Sequence, residues 1–140
     1  MMESSEKDGL IIIRLFRGED IMEGMEEACK KHDVTTAIAL MGIGQLRHIQ
    51  LGYFRTKGDY VKQSFDQPHE LLSLSGNVSK QPEGYNFHLH TALGDIVKNV
   101  RGGHLIKAEV TVTAEIALLK ADIPIVRRED PETGLAALHF

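Results

Sequence analysis

The sequence predicts an α+β fold: a single domain with a mostly antiparallel sheet of about seven strands, partly barrel-like, and one main helix near the N-terminus. The chain has 140 residues, which suits one domain and is small for two. From Thr35 onward, short runs of β-branched and aromatic residues alternate with turn residues. Because the connections are short and helical patterns are few, most strand pairs should be antiparallel.

The composition excludes several classes of protein. Apolar residues make up 42% of the chain and charged residues 26%, as in ordinary soluble domains. No apolar run approaches the roughly 18 residues of a membrane-spanning helix, so we expect no membrane partner. The formal net charge of −4 argues weakly against DNA binding, which rests largely on lysine and arginine. The basic pairs Lys30-Lys31 and Arg127-Arg128 fit the solvated ends of structural elements.

Residues 1–9 are expected to form a flexible N-terminal tail, with the folded domain spanning residues 10–140. The tail is polar and lacks the apolar core of a secretory signal. Cys29 is the only cysteine, which excludes an internal disulfide and suits a reducing compartment. These features predict a cytoplasmic protein.

The first two elements have clear local signals. Residues 10–16 are nearly all apolar and rich in isoleucine, which is typical of a buried strand. Residues 20–32 predict a helix, because Asp20 and Glu23 resemble a capping box before apolar residues that recur on one helical face. His32 lies in the last helical turn and fits a helix end better than a ligand.

The remaining segments read as strands separated by turn residues. The candidate strands are residues 36–42, 46–56, 60–65, 70–78, 85–93, 110–120 and 135–140.

Three histidines, His88, His90 and His104, have the spacing of a divalent metal site. Residues two apart on a strand point to the same face, so His88 and His90 can converge on one ion. Zinc held by three histidines keeps its fourth position open, whereas structural zinc sites close all four positions, usually with cysteine. With one cysteine in the chain, a closed structural site is disfavoured.

The third histidine sets a geometric condition. If Gly94-Asp95 is a two-residue hairpin turn, His90 pairs with Asn99, and His104 has the wrong parity to share its face. A bulge at Gly102 or Gly103 would insert one residue and correct the parity. His104 could instead come from another strand or subunit.

The bland alternative is that the histidines are unrelated polar residues on a solvated strand face. If they do bind a metal, zinc, nickel, cobalt and iron(II) all accept imidazole, and zinc is our expectation. Glu115 is a candidate partner of the site. It lies among small polar residues and could orient a histidine or act as general base, or it could simply face solvent.

Six motifs, in their order along the chain, resemble the plant- and prokaryote-conserved (PPC) domain family. The resemblance runs from about residue 12 to residue 140. The motifs are residues 14–20 (RLFRGED), 41–46 (MGIGQL), 70–78 (ELLSLSGNV), 88–90 (HLH), 102–105 (GGHL) and 113–116 (TAEI).

The resemblance implies an antiparallel sheet with few helices and assembly as a homotrimer. Plant members carry separate AT-hook segments that enter the DNA minor groove, and no such segment occurs in this sequence. Prokaryotic members that contain the three histidines resemble metal-binding proteins. The fold also resembles that of acetolactate decarboxylase, which holds zinc with a His-x-His pair and a later histidine; beyond the ligands this is fold-level analogy.

Three functions follow as hypotheses. In the first, a homotrimer binds zinc through the three histidines, and the open position accepts a small ligand or substrate. In the second, the trimer is a DNA-associated or transcription-related module that binds DNA or protein partners. A third, blander possibility is an oligomerisation scaffold in which the metal only stiffens an interface. The sequence contains no recognisable nucleophile, phosphate loop or cofactor fingerprint, so it names neither a reaction nor a substrate.

Overall fold

The structure, a computed structural model, describes residues 1–140 as one antiparallel sheet with one helix and a small C-terminal hairpin. The elements in chain order are β1 (Glu3–Lys7), β2 (Leu10–Phe16), α1 (Ile21–Lys31), β3 (Thr36–Thr56), β4 (Asp59–Phe65), β5 (His69–Gln81), β6 (Gly84–Gly94), β7 (Val100–Ala121), β8 (Val126–Glu129) and β9 (Ala136–His139). This confirms the predicted α+β class.

The main sheet has seven strands and is closed on itself over part of its width. The strand order is β1-β2-β7-β6-β5-β3-β4, and β3 also pairs with β7. Strands β3, β5, β6 and β7 therefore form a ring, and the remaining strands extend from it. The partly barrel-like prediction is confirmed. Strands β8 and β9 form a separate two-stranded hairpin.

Strand β3 joins two segments that the sequence predicts as separate strands. It pairs with both β5 and β7, and its register against β7 shifts at several points. Two of these shifts fall at Gly44, where φ is +145°, and around His48, where φ is +48°. At these bends the strand changes direction but stays hydrogen-bonded to its neighbours. The glycine-containing segment that the sequence places between two strands is therefore a bend within one strand.

The helix agrees with its prediction. Asp20 is the N-cap, and its Oδ1 accepts hydrogen bonds from the amides of Met22 and Glu23. The apolar face predicted for it is buried in the core with β2 (buried helix residues: Ile21, Met25, Ala28 and Cys29). With eleven residues, this helix is too short to cross a membrane.

The N-terminal segment is not the frayed tail expected from its polarity. Residues Glu3 to Lys7 form strand β1, which pairs along its length with β2. The Glu19 carboxylate accepts hydrogen bonds from the Met1 ammonium and from the amide of Met2. The expectation failed because β2 needs a hydrogen-bonding partner on its outer side, and a polar edge strand supplies one without burying side chains.

One outer surface of the sheet is apolar and uncovered. Three rows of cross-strand partners run over β2, β7 and β3, and partners in a row share a face. The rows are Leu10–Leu119–Ile38, Ile12–Ala117–Met41 and Arg14–Glu115–Ile43; we call them the outer face. Ile12 is 51% exposed and Ile43 is 45% exposed. Exposed apolar side chains grouped in this way form a candidate contact surface.

Candidate metal centre

The β6–β7 hairpin places His90 and His104 directly opposite each other. The register pairs Gly94 with Val100 and His90 with His104, so the connecting loop comprises residues 95–99. An odd number of loop residues gives His104 the parity that a two-residue turn would deny it. The predicted two-residue turn is therefore wrong, and no bulge at the glycines is needed.

The longer loop has a local cause. The Oδ1 atom of Asp95 accepts hydrogen bonds from the amides of Val97 and Asn99, and the Asp95 amide donates to the Asn99 carbonyl. Lys98 adopts a left-handed conformation with φ at +71°. Asp95 thus begins a closed loop rather than completing a tight turn.

The three histidines form a compact cluster. The ring centroids of His88 and His90 are 5.2 Å apart, and each lies 5.6 Å from the ring of His104. One ligand nitrogen from each ring can be chosen so that all three lie within 4.8 Å of one another. The structure therefore brings together the three residues that the sequence proposes as metal ligands.

The imidazoles are chemically suited to a metal. Burial lowers the pKa of His88 below its usual value, and the charges of His90 and Arg127 lower it further. Burial also lowers the pKa of His104, with His88 and His90 adding to the effect. Both rings therefore favour the neutral form, which is the form that binds metal ions.

The ring nitrogens of the cluster are also free of protein partners. Hydrogen bonds from histidine rings are made by His32, His48 and His69, and none by the cluster. Nitrogens about 2.1 Å from a tetrahedral zinc ion lie roughly 3.4 Å apart, and the ligand nitrogens of the three rings lie within 4.8 Å of one another. Three nitrogen donors without a fourth protein ligand fit a metal with an open position.

A cavity of about 770 Å³ opens in front of the histidines. Its walls come from β3, β4, β6, β7 and the C-terminal hairpin (Gly52, Tyr53, Phe54, Tyr60, Asn86, Phe87, His88, His90, Gly103, His104, Arg127, Leu135 and Ala136). This volume is in the range of sites for small organic molecules, about 300–1,000 Å³.

Tyr60 lies directly beside the cluster because Gly52 leaves room for it. The Tyr60 and His104 rings meet edge to face, with centroids 6.0 Å apart. Gly52 pairs with His104, and a Cβ at Gly52 would lie 2.2 Å from the Tyr60 ring. Burial raises the pKa of the Tyr60 hydroxyl, which therefore stays protonated and can donate a hydrogen bond.

The Gly-Gly pair before His104 permits close backbone contact instead of forming a bulge. A Cβ at Gly102 would lie 2.4 Å from the Thr91 carbonyl oxygen, and one at Gly103 would lie 3.1 Å from the Gly52 carbonyl oxygen. Larger side chains would push β7 away from β6 and β3 immediately before the third ligand.

Arg127 is a residue of the site, although its sequence context predicts a solvated end of an element. It is partly buried on β8 and lines the cavity. Its Nη2 donates to Asn77 Oδ1 at 2.5 Å, and Asn77 pairs across the sheet with His88. No local signal in the sequence links β8 to β6, so neither Arg127 nor Tyr60 could be found from spacing alone.

Glu115, which the sequence proposes as a general base, does not reach the histidines. It lies eleven residues beyond His104 on β7, about 36 Å along an extended strand. Its neighbours across the sheet are Arg14 and Ile43, and its side chain is exposed. The interpretation as a base or histidine-orienting residue within one subunit is wrong, because the strand is far longer than the sequence pattern suggests.

Histidines other than His88, His90 and His104 lie outside the cluster. His32 is the C-cap of α1, and its Nε2 lies 2.8 Å from the Ser4 hydroxyl oxygen. His48 is beside Asp66, and His69 contacts the Gln67 carbonyl. A second cavity of about 550 Å³ near His69 contains no further cluster of metal-binding side chains.

Comparisons with known proteins agree with this architecture. A metal-containing protein from Archaeoglobus fulgidus is 31% identical, with a TM-score of 0.84 over 100% of this chain and 97% of that chain. A candidate DNA-binding protein from Bacteroides thetaiotaomicron has a TM-score of 0.92 over 100% of this chain and 98% of that chain. Its identity is 24%, so this likeness shows the fold alone.

Among curated sequences, the bifunctional protein GlmU of Synechococcus is 32% identical over 132 residues, which are 91% of this chain. The chain spans about one fifth of the length of that relative, since the match covers 20% of it. The profile of the Plants and Prokaryotes Conserved (PCC) domain, the family called PPC above, matches residues 2–122. The chain therefore belongs to the Plants and Prokaryotes Conserved domain family.

Proposed function

We propose that this protein binds one divalent metal ion, zinc by preference, through His88, His90 and His104, and that the open position of the metal accepts a small ligand or substrate. The observation that carries this proposal is the cluster of three imidazoles, free of hydrogen bonds to the protein, in the wall of a cavity. The description of the 31%-identical archaeal relative as metal-containing supports it.

The chemistry available at such a centre is that of a Lewis acid. A bound zinc ion would polarise a carbonyl oxygen or lower the pKa of a water molecule. The protein supplies the surroundings. Tyr60 offers a protonated hydroxyl, and the side chains of Phe54 and Phe87 contribute apolar surface to the cavity wall. Turnover assays with candidate carbonyl substrates test for catalysis at this centre.

We also propose that three copies of the chain assemble through the outer face. The family resemblance implies a homotrimer, and the apolar rows on β2, β7 and β3 supply a surface that a neighbouring copy could bury. Arg14 and Glu115 lie in adjacent strands at one end of these rows. Opposite charges at the edge of an apolar patch fit the polar rim of a subunit interface.

The second candidate function is association with DNA. Its support is the family resemblance, because plant members carry AT-hook segments that enter the DNA minor groove, although no such segment occurs in this chain. The net charge of −4 opposes it. A gel-shift titration with duplex DNA at low salt tests it: binding that weakens steeply as salt rises supports the candidate, and no shift removes it as a direct binder.

Elemental analysis of the purified protein tests the metal proposal. We expect one zinc or another divalent transition metal per chain, and its loss in His104→Ala. His139→Ala is the matched control, because His139 lies on β9 outside the cluster. A metal-free wild type, or a metal content that His104→Ala leaves unchanged, would contradict the proposal.

A further inference from the structure

The guanidinium of Arg127 lies in the cavity wall and is not one of the proposed metal ligands. Arg127 lies on β8, in the segment of residues 123–140 that follows the matched family region. Its Nη2 donates to Asn77 Oδ1 at 2.5 Å, and its Nη1 donates to the Ala136 carbonyl at 3.2 Å. Because Asn77 pairs with His88 across the sheet, these bonds hold the guanidinium beside the histidine cluster.

The charge of Arg127 is not neutralised by the protein. The ion pairs of the structure involve other cations, and the groups that Arg127 contacts, Asn77 and the Ala136 carbonyl, are neutral. Its Nε atom is buried without a hydrogen-bond partner. A partly buried cation without a counter-charge is costly, and an anion in the cavity would offset that cost.

The shape of the guanidinium narrows the choice of anion. Nη1 and Nη2 each use one N–H in the bonds to Ala136 and Asn77 and keep a second N–H. A pair of N–H groups on one guanidinium matches the two oxygens of a carboxylate or a phosphate. The cavity of about 770 Å³ is also lined by the apolar side chains of Phe54, Phe87 and Leu135. Inorganic phosphate has no hydrocarbon part that could contact these apolar walls, whereas an organic acid has one.

We propose that the cavity selects small organic carboxylates, with Arg127 binding the carboxylate and the apolar walls holding the rest of the molecule beside the three histidines. This inference deepens the proposed function, since it concerns the ligand of the same cavity. The C-terminal hairpin is then the specificity element, because it supplies Arg127 and Leu135 together. The carboxylate contact with Arg127 does not itself require the metal.

Calorimetric titration of the metal-loaded, full-length protein tests the proposal, with benzoate as the probe and benzamide as its neutral counterpart of similar shape. We expect benzoate to bind more tightly than benzamide. Arg127→Gln should weaken benzoate binding by about 10- to 100-fold and leave benzamide binding unchanged. Arg127→Lys keeps the charge but loses the planar pair of N–H groups, so it should bind benzoate less tightly than the wild type and more tightly than Arg127→Gln. Arg128→Gln is the matched control, since Arg128 is the exposed neighbour on the same strand.

Several results would overturn the proposal. They are a wild type that binds neither probe, that does not prefer benzoate to benzamide, or that prefers inorganic phosphate to benzoate. Undiminished benzoate binding by folded Arg127→Gln would also overturn the proposal. If that variant does not fold, undiminished benzoate binding by Arg127→Lys would overturn it. Metal content, measured on every variant, separates the two proposals. Arg127-dependent benzoate binding by a wild type that remains metal-free after incubation with zinc would contradict the metal function and support the carboxylate site.

Discussion

His90 and His104 are direct cross-strand partners on β6 and β7, with their ring centroids 5.6 Å apart. This pairing converts two motifs fourteen residues apart into one donor set, and the loop of residues 95–99 fixes its register. His88 joins the set because it lies two residues from His90 on the same strand face. The metal centre is thus a property of one hairpin, and the neighbouring strands build the cavity around it.

Removal of the metal should lower the thermal unfolding midpoint of the wild type. A ligand that binds only the folded state stabilises it by about 2.7 kcal/mol when its free concentration is about 100 times Kd. Differential scanning calorimetry with and without a chelator measures the difference. His104→Ala should show no chelator effect, and His139→Ala should behave like the wild type. Equal midpoints for the wild type with and without chelator would contradict this prediction.

Gly102→Ala should destabilise the protein by about 1–3 kcal/mol and weaken metal binding. The reason is that its Cβ would lie 2.4 Å from the Thr91 carbonyl oxygen and separate β6 from β7 two residues before His104. Gly94→Ala is the control in the same hairpin, because its nearest contact, a Leu72 side-chain atom, is 3.4 Å away. Denaturant unfolding and metal titration measure the two effects. Equal behaviour of the two variants would refute the close-approach explanation.

The stability of the N-terminal strand should fall in acid. Burial raises the pKa of Glu19, but hydrogen bonds from the Met1 ammonium and from the Phe16 and Met2 amides outweigh burial and hold this pKa below its usual range. A carboxylate with a lowered pKa in the folded state stabilises the fold above its unfolded pKa, and the stabilisation is lost as pH falls through the folded pKa. Protection of β1 from hydrogen exchange should therefore decrease below about pH 4.5.

The control for this prediction is Glu19→Gln. It should reduce protection of residues 3–7 at neutral pH and remove most of the dependence on acid. If β1 exchanges as a frayed segment in the wild type at neutral pH, the strand assignment itself is contradicted.

Ile12→Asp should dissociate the proposed trimer. Ile12 lies in the middle row of the outer face and is 51% exposed in the single chain, so a carboxylate there would be buried without a partner on assembly. Native mass spectrometry or light scattering reports the change. Ile96→Asp is the control, since Ile96 is 90% exposed in the β6–β7 loop, away from that face. A trimer that survives Ile12→Asp would show that the outer face is not the interface.

Cys29 should be inert toward thiol reagents while the protein is folded. Burial raises its pKa to about 12, with Glu26 adding to the effect, and the side chain is fully buried. Labelling with iodoacetamide at pH 8 should require unfolding and become complete in denaturant. Rapid labelling of the native protein would contradict the placement of Cys29 in the core.

Features encoded by local patterns are the ones that the sequence predicts well. The helix of residues 20–32 agrees with α1 because capping by Asp20 and the apolar period act within a few residues. The histidine cluster is predicted for a similar reason, since two-residue spacing on a strand fixes a common face. The class of sheet follows from short runs of strand-forming residues between turns.

Features that depend on distant contacts are the ones that the sequence does not reveal. The register of His104 depends on two amides that Asp95 holds, and β1 exists because β2 requires an outer partner. Arg127 reaches the histidines through Asn77, fifty residues earlier in the chain. Glu115 fails as a site residue because β7 carries it past the cavity to the outer face.

X-ray absorption spectroscopy of the zinc-loaded wild type tests the central claim most directly, because it reports the atoms bound to the metal. The account predicts three imidazole nitrogens at about 2.0–2.1 Å and one further light-atom ligand that is not supplied by the protein. A sulfur ligand, a fourth imidazole or a zinc ion surrounded only by oxygen atoms would contradict a three-histidine centre with an open position.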